Sequence, residues 1–164
     1  MSKTSSVINF YRGTSVFITG ATGFVGKVLV EKLLRSCPDI DTIYLLLRPG
    51  QDGKTPEERL SELLASKAFT FNRQELALEK LVPIAGDMTE ANLGISDSDR
   101  ALLIDRVSVI FHSAATVRFH GPVKDFIRQN VLGSEAIMQL GSELKNLKVT
   151  FFQSSFSAQT LNFS

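Results

Sequence analysis

A glycine-rich segment near the N-terminus is the feature that most constrains how this chain can fold. Residues 16–26 read Val-Phe-Ile-Thr-Gly-Ala-Thr-Gly-Phe-Val-Gly, and an apolar run with helical spacing follows from Val25 through Leu34. This order is typical of a strand, a tight turn and a helix N-terminus, which together cradle a dinucleotide pyrophosphate. In such a unit the unpaired N–H groups and the positive dipole end of the helix face the anion. The segment therefore predicts a nucleotide site.

The three glycines of this segment have separate predicted roles. Gly20 allows the sharp turn, Gly23 lets backbone N–H groups approach phosphate oxygens, and Gly26 lets the helix pack closely against the strand. Their spacing is G-x-x-G-x-x-G rather than the more common G-x-G-x-x-G, and an ordinary flexible turn is the alternative interpretation. Neighbouring residues complete the predicted cofactor-binding loop: Thr19, Thr22, Phe24 and Val25.

Apolar runs alternate with helical patterns along the rest of the chain, which predicts an α/β fold. The predicted strands are residues 15–19, 43–47, 81–85, 107–111 and 147–152. The predicted helical segments are residues 24–36, a helix capped by Thr55 with Pro56 at its first position, and residues 73–80, 97–104 and 122–143. Right-handed crossovers then give a doubly wound, Rossmann-type parallel sheet of order 3-2-1-4-5. We predict a flexible segment over residues 1–13 and an incomplete NAD(P)-binding domain over residues 14–164, truncated after its fifth strand.

Composition narrows the classes of function that this chain of 164 residues can have. Its formal net charge of +1 gives no indication of nucleic-acid binding. No window approaches the about 20 apolar residues of a membrane span, and residues 1–13 do not form a signal peptide. The single cysteine, Cys37, cannot form an intrachain disulfide and suits a reducing, intracellular compartment. We predict no nucleic-acid partner, no membrane span in this chain and no bound metal.

The residue that follows the second strand bears on the choice of cofactor. Arg48 stands where an acidic residue would bond the ribose 2′-hydroxyl of NAD, whereas an arginine accommodates the 2′-phosphate of NADP. We therefore predict NADPH as the cofactor. A solvated arginine at a strand end is the alternative.

Residues that follow the third and fourth strands extend the predicted nucleotide pocket. Asp87 lies where its carboxylate could accept the adenine amino group, with a simple turn aspartate as the alternative. His112, at the end of the fourth strand, is interpreted as a packed or hydrogen-bonded histidine rather than a catalytic base. Asn130, inside a helix, either has a structural role or holds backbone or water beside the cleft. The pocket also includes Met88, Ala114, Ala115 and Thr116.

These segments resemble the N-terminal part of the fatty acyl-CoA reductases, an alcohol-forming family of the extended short-chain dehydrogenase/reductase superfamily. The resemblance covers about residues 10–157, and its most specific motifs are Leu-Arg-Pro after the second strand and His-Ser-Ala-Ala-Thr-Val-Arg-Phe over residues 112–119. The motifs Val-Pro-Ile-Ala-Gly-Asp-Met (82–88) and Asn-Val-Leu-Gly (130–133) add to it. Thioester reductases of carboxylic acid reductase type are the next most similar family.

The resemblance implies NADPH-dependent reduction of a long-chain fatty acyl-CoA, through an aldehyde, to a primary alcohol. In the family a tyrosine donates the proton, a lysine four residues later lowers that tyrosine's pKa, and a serine or threonine polarises the carbonyl. The family's hydroxyl residue corresponds to Ser154 or Ser155 here, and the motif does not decide between them. The family also implies association with the cytoplasmic side of the endoplasmic reticulum or peroxisome.

Departures from the family pattern limit what this chain is expected to do. It contains no Tyr-x-x-x-Lys, its only tyrosines are Tyr11 and Tyr44, and His120-Gly121 replaces the family's usual acidic pair. We therefore predict NADPH binding without turnover by this chain alone. The alternatives are a non-catalytic nucleotide-binding module that dimerises through an exposed sheet edge, and an unstable fragment.

Overall fold

The computed structural model describes residues 6–50, 53–70, 76–114 and 127–153. Within these ranges a parallel sheet has the strand order β3-β2-β1-β4-β5. The strands are β1 (Ser15–Thr19), β2 (Ile43–Leu47), β3 (Leu81–Ala85), β4 (Val107–His112) and β5 (Val149–Phe152). The predicted doubly wound α/β fold with this strand order is confirmed.

Helices lie between consecutive strands of the sheet and cover both of its faces. Their bounds are α1 (Ser6–Tyr11), α2 (Phe24–Ser36), α3 (Pro56–Leu64), α4 (Asp97–Arg106) and α5 (Gly133–Glu143). A π-helical segment, Ile127–Leu132, precedes α5. Short 3₁₀ turns occur at Lys67–Phe69, Leu78–Lys80 and Ala91–Gly94.

The central strand β1 is buried at every position, because both faces of the sheet are covered. Val16 and Ile18 belong to one core cluster, with the apolar stripe of α2, while Phe17 belongs to the other, with residues of α4 and α5. Side chains of a strand alternate between the two faces, so both clusters need apolar residues from one continuous run. This explains why the runs at β1 and β2 carry no polar alternation.

The register of the sheet places the strand ends together at one edge. Thr19 at the end of β1 is paired with Leu46 of β2 and with His112 of β4. Leu47 is paired with Ala85 at the end of β3. Since all strands are parallel, every loop that follows a strand leaves from this carboxyl edge. The residues predicted to bind a nucleotide are therefore brought to one edge by topology.

The N-terminal segment contains a short helix that sequence periodicity does not indicate. Residues 6–11 form the helix α1, and Tyr11 is buried in the core cluster of β1 and α2. The Gly13 N–H donates to the Asp39 carbonyl at 2.8 Å, which ties the end of this segment to the loop before β2. The sequence did not indicate this helix, because a single buried aromatic ring holds it and it is too short to show a periodic pattern. The flexibility of residues 1–13 stays a prediction. Residues 1–5 lie outside the described residues.

The predicted helix over residues 122–143 is not one regular α-helix. Residues 122–126 lie outside the described residues, and residues 127–132 have π-helical hydrogen bonding before α5 begins at Gly133. A Cβ at Gly133 would lie 2.7 Å from the Met88 side chain, so the helix packs very closely on the loop after β3. The change from π to α geometry occurs at this close approach, a tertiary feature that periodicity does not report.

Candidate functional site

A cleft of about 300 Å³ lies at the carboxyl edge of the sheet, where the strand order reverses between β1 and β4. This is the position at which doubly wound sheets bind their ligands. Seven of the predicted cofactor residues line it: Gly20, Thr22, Gly23, Arg48, Asp87, Met88 and Ala114. Residues that the sequence did not single out also contribute: Leu46, Leu47, Arg59, Gly86 and Ser113.

Two glycines of the loop between β1 and α2 are required by the backbone geometry. Gly20 has φ +74°, and a Cβ there would lie 2.6 Å from the backbone nitrogen of Ala114. A Cβ at Gly26 would overlap the carbonyl oxygen of Gly20. Gly20 thus makes the turn and Gly26 allows α2 to pack on it, as predicted. Gly23 has an ordinary extended conformation with φ −73°, so its backbone alone does not require glycine.

The first turn of α2 is open toward the cleft. Its N-cap residue, Gly23, supplies no side-chain hydrogen bond, and the first turn contains no acidic residue. The first N–H groups of a helix have no intrahelical partner, and the dipole makes this end positive. An anion at this position would therefore be bound by backbone donors, with Gly23 and Thr22 lining the approach.

Arg48 and Asp87 face each other across the end of the sheet. An Arg48 guanidinium nitrogen lies 3.7 Å from Asp87 Oδ2, and the Arg48 side chain is about half exposed. The other carboxylate oxygen, Oδ1, accepts from the Thr89 N–H at 2.9 Å and from its hydroxyl at 2.8 Å. Asp87 therefore closes an aspartate turn with Oδ1, as one of the two interpretations from the sequence describes, while Oδ2 faces Arg48.

The loop after β3 is held in a conformation that presents Asp87. Asn92 and Leu93 have left-handed backbones with φ 51° and 62°, and Leu93 is fully buried. The Leu93 carbonyl accepts from the Asp87 N–H at 2.7 Å. A left-handed leucine is unfavourable, so its burial and this hydrogen bond together fix the turn. The backbone of Asp87 is thereby fixed on the cleft wall.

Arg59 is a cleft residue that sequence reasoning missed. It extends from α3, and its Nε is buried with no hydrogen-bond partner among the described residues, while Nη1 lies 3.7 Å from Glu62 Oε2. Buried donors are nearly always paired in folded proteins, so an unpaired one at a cleft indicates a ligand acceptor. The available signal was its spacing, since Arg59 precedes the buried Leu63 by four residues and therefore shares its helix face.

Thr19 and His112 lie behind the cleft rather than in it. Thr19 is fully buried, and its hydroxyl lies 2.7 Å from His112 Nδ1. The other ring nitrogen, Nε2, lies 3.1 Å from the Ser134 hydroxyl of α5. Burial lowers the pKa of His112 and so favours the neutral imidazole. The interpretation of His112 as a hydrogen-bonded histidine is confirmed, and Thr19 bonds protein groups with its side chain.

The remaining predicted site residues either lie on helical segments without lining the cleft or lie outside the described residues. Phe24 is 84% exposed and Val25 is 43% exposed, and neither lines the cleft. Asn130 is half-buried, and its carbonyl accepts from Ser134. Four residues lie outside the described residues: Ala115, Thr116, Ser154 and Ser155.

Neither tyrosine of the chain lies at the cleft. Tyr11 and Tyr44 are buried in the two core clusters, on α1 and β2. Burial raises the pKa of Tyr11, which makes its phenol a poorer acid. Among the described residues, no group of three His, Cys, Asp or Glu side chains is placed to hold a metal ion, and no helix has the length and apolarity to cross a membrane.

Comparison with known proteins assigns this architecture to a family. A family profile described as male sterility protein matches residues 18–163. Fatty acyl-CoA reductase 1 of Mus musculus is 43% identical over 146 residues, which are 88% of this chain and 28% of the relative. Fatty acyl-CoA reductase 1 of Gallus gallus is 42% identical over the same shares. The chain thus spans less than a third of the length of these relatives.

Solved structures with a similar fold are reductase domains. The terminal R domain from the myxalamid PKS-NRPS biosynthetic pathway superposes with a TM-score of 0.71 and 28% identity, over 86% of this chain and 34% of that chain. The reductase (R) domain of a nonribosomal peptide synthetase from Mycobacterium tuberculosis has a TM-score of 0.65 and 26% identity, over 92% and 36% of the two chains. This chain therefore shares its fold with about a third of each of these reductase domains.

Proposed function

We propose, since this chain belongs to the male sterility protein family, that it is the cofactor-binding portion of an NADPH-dependent fatty acyl-CoA reductase. The similarity to fatty acyl-CoA reductases of Mus musculus and Gallus gallus supports the substrate class. The observation that carries the cofactor is the pair of arginines at the cleft, Arg48 and Arg59.

The residues of the cleft fit a dinucleotide. The close approach of Gly20 to Ala114 leaves a narrow cradle of backbone beside the open first turn of α2, which suits a pyrophosphate. Asp87 has one carboxylate oxygen directed toward the cleft, where an adenine amino group could donate to it. When bound, a nicotinamide cofactor supplies the hydride. The described residues of this chain bind and orient the nucleotide.

Two arginines favour NADPH over NADH. A guanidinium presents a planar set of donors that matches phosphate oxygens, and such charge-assisted bonds are stronger than neutral ones. Arg48 is about half exposed with a loose ion pair to Asp87, and the buried Nε of Arg59 has no partner in the part of the chain that the structure describes. A 2′-phosphate would supply acceptor oxygens to both guanidinium groups, whereas a 2′-hydroxyl would leave both without a phosphate acceptor. This difference supports a preference for NADPH over NADH.

Turnover needs a proton donor beside the nicotinamide, and the described cleft holds no tyrosine. The only two tyrosines of the sequence are buried in the core. We therefore propose that this chain binds NADPH and does not reduce acyl-CoA on its own. Oxidation of NADPH by the purified chain on addition of a long-chain acyl-CoA would contradict this part of the proposal.

Calorimetric titration with NADPH and NADH tests the cofactor assignment. Replacing Arg48 or Arg59 by glutamine should raise the Kd for NADPH about tenfold each and leave the Kd for NADH nearly unchanged. Arg12→Gln is the matched control, because Arg12 makes an exposed ion pair with Asp39 and does not line the cleft. Equal affinity of the unmodified chain for the two cofactors, or no effect of either cleft variant, would refute the assignment.

A thioester reductase is the second candidate, favoured by the similarity to R domains of peptide synthetase pathways. The higher identity to fatty acyl-CoA reductases makes this the weaker proposal. Extending this chain with the remaining length of a fatty acyl-CoA reductase separates the two. The first proposal expects the chimera to reduce an acyl-CoA, and the second expects it to reduce only a carrier-protein-bound thioester.

The proposal also includes the location and the assembly of the protein. Following the family resemblance, we propose an intracellular protein on the cytoplasmic side of the endoplasmic reticulum or peroxisome. Organelle fractionation tests this location. On β5, Phe151 and Phe152 are 44% and 46% exposed, and this apolar edge is the surface through which the chain would associate. Sedimentation that shows only monomer at high concentration would rule out such association.

A further inference from the structure

Five groups form a connected hydrogen-bond chain behind the cleft. The Ala114 N–H lies 3.4 Å from Thr19 Oγ1, which lies 2.7 Å from His112 Nδ1. On the other side of the ring, Nε2 lies 3.1 Å from Ser134 Oγ, and that hydroxyl donates to the Asn130 carbonyl at 2.7 Å. This hydrogen-bond chain joins the ends of β1 and β4 to α5 and to the π-helical segment that precedes it. It therefore connects the cleft wall to the neighbouring layer.

The groups at the two ends of this hydrogen-bond chain determine which atom donates and which accepts in every bond. The Asn130 carbonyl can only accept, so the single hydroxyl proton of Ser134 is committed to it. Ser134 Oγ must then accept from His112, which places the ring proton on Nε2. In the neutral ring, which burial favours, Nδ1 is then bare and accepts from the Thr19 hydroxyl, whose oxygen is left to accept from the Ala114 N–H. A neutral imidazole with one defined tautomer satisfies all of these groups.

We infer that His112, as the neutral Nε2–H tautomer, is a positioning residue that fixes the Ser113–Ala114 wall of the cleft for NADPH. The inference rests on the proposed function. Ser113 adds a second tie at the same level, because its hydroxyl donates to the Thr19 carbonyl at 2.8 Å. Gly20 lies so close to this wall that a Cβ would come within 2.6 Å of it. A small shift of the wall would therefore change the space left for the pyrophosphate.

The imidazole is suited to this position by its two-sided bonding. His112 is 5% exposed, and its ring packs edge-on against Phe152 with 5.4 Å between the ring centroids, so water has little access to the ring nitrogens. An apolar side chain in its place would leave the buried Thr19 hydroxyl without its acceptor, which is costly. The burial that lowers the pKa of His112 also keeps the ring neutral, as the bonding pattern requires.

Nuclear magnetic resonance of the imidazole groups tests the tautomer. The chain has two histidines, so His120→Gln leaves the signals of His112 alone. We expect a slowly exchanging proton on Nε2 and an unprotonated Nδ1, and we expect Ser134→Ala to accelerate the exchange of that proton. A proton on Nδ1, or an Nε2 proton with no protection from exchange, would overturn the inference.

A double-mutant cycle on NADPH binding tests the positioning role. Thr19→Val and Ser134→Ala each remove one bond to the ring, and each should raise the Kd for NADPH about three- to tenfold. Because both act through one imidazole, the double variant should lose less than the product of the single losses. Ser142→Ala is the control, since Ser142 is in the same helix and bonds the Gln139 carbonyl, without contact to His112.

The outcomes separate this inference from the proposed function. Absence of NADPH binding by the unmodified chain refutes the cofactor assignment, and the positioning role falls with it. A second possible outcome is that the unmodified chain binds NADPH tightly while the single variants leave the Kd unchanged, or while the loss in the double variant equals the product of the single losses. Either result refutes only the role of His112. Partial recovery of affinity in His112→Gln or His112→Asn over His112→Leu supports it, because each amide restores one of the two ring contacts.

Discussion

Three helices of this fold each follow a strand, yet their first turns are built differently. In α3, Thr55 and Glu58 form a reciprocal capping box, and in α4 the Ser96 hydroxyl accepts from the Asp99 N–H. Both first turns also carry acidic residues. The first turn of α2 has neither a side-chain cap nor an acid, and it begins at Gly23. Two helices are thus completed by their own sequence, whereas α2 leaves its donors and its dipole to a ligand.

The largest effect on stability should come from a side chain that fills the space between α2 and the β1–α2 loop. Gly26→Ala places a methyl group on the Gly20 carbonyl, which the backbone cannot avoid, so we expect a loss of about 3 kcal/mol in the free energy of unfolding. Chemical denaturation measures this. Gly23→Ala is the control, since its Cβ would lie 3.2 Å from that oxygen and should cost less than about 1 kcal/mol. Similar losses in both variants would show that the close approach is not what requires glycine.

Supplying α2 with the cap that the other helices have should separate stability from binding. Gly23→Asp places a carboxylate at the helix N-terminus, which should stabilise the fold by about 0.5–1 kcal/mol. The same charge repels a pyrophosphate, and we expect the Kd for NADPH to rise about 100-fold. Gly23→Asn caps equally without the charge, so calorimetry should show a much smaller loss. If aspartate and asparagine weakened binding equally, the open first turn would not be an anion site.

Removing the cap of α4 should lower stability and leave NADPH affinity unchanged, whereas Gly23→Asp should raise stability and weaken NADPH binding. Ser96→Ala deletes the acceptor of the Asp99 N–H, and we expect a loss of about 1 kcal/mol in the free energy of unfolding. No cleft residue belongs to α4, so NADPH affinity should stay unchanged. Thermal unfolding and calorimetry on one preparation measure both. A change in affinity comparable with that of Gly23→Asn would remove the distinction between the two kinds of helix start.

The smallest effect concerns the pH dependence of stability that His112, at the end of β4, contributes. The groups that contact the His112 ring in the described chain are uncharged: Thr19, Ser134 and Phe152. Burial places the folded-state pKa of His112 below its unfolded value of about 6.5, so the unfolded chain binds more protons between these values. The contribution of His112 to stability is thus full above pH about 6.5 and is lost as the pH falls through that window.

Denaturation at a series of pH values checks this dependence. We expect the acid loss of stability in the unmodified chain and in His120→Gln, and we expect it to be reduced in His112→Gln. An identical pH dependence in His112→Gln and in the unmodified chain would mean that other groups cause the loss.

The local sequence pattern was sufficient to predict the strands of the sheet. The strands β1, β2 and β3 and the helix α2 have the predicted bounds, because continuous apolar runs and strong breakers such as Pro38 and Gly50 delimit them. Topology then followed from right-handed crossovers, which brought Arg48 and Asp87 to one cleft with the glycine loop.

Features that depend on tertiary contact were missed. The short helix α1 is held by the burial of Tyr11, and the left-handed backbone at Leu93 depends on a buried turn. Arg59 reaches the cleft because α3 packs on β3 beside it; its spacing to Leu63 gives its helix face, but not the strand on which that face packs. The bonds of His112 join groups from separate strands and a later helix, so the type of residue could be interpreted but its partners could not.

The central place of β1 has a consequence for the order in which the chain folds. Its pairing with β2 closes a short crossover, whereas its pairing with β4 brings together Thr19 and His112, which are 93 residues apart. Non-local contacts slow folding because loop-closure entropy is lost before they form. We expect strands β1 to β3 to assemble first and β4 to dock on their open side. The contacts that complete the cleft wall would then be among the last that the chain makes.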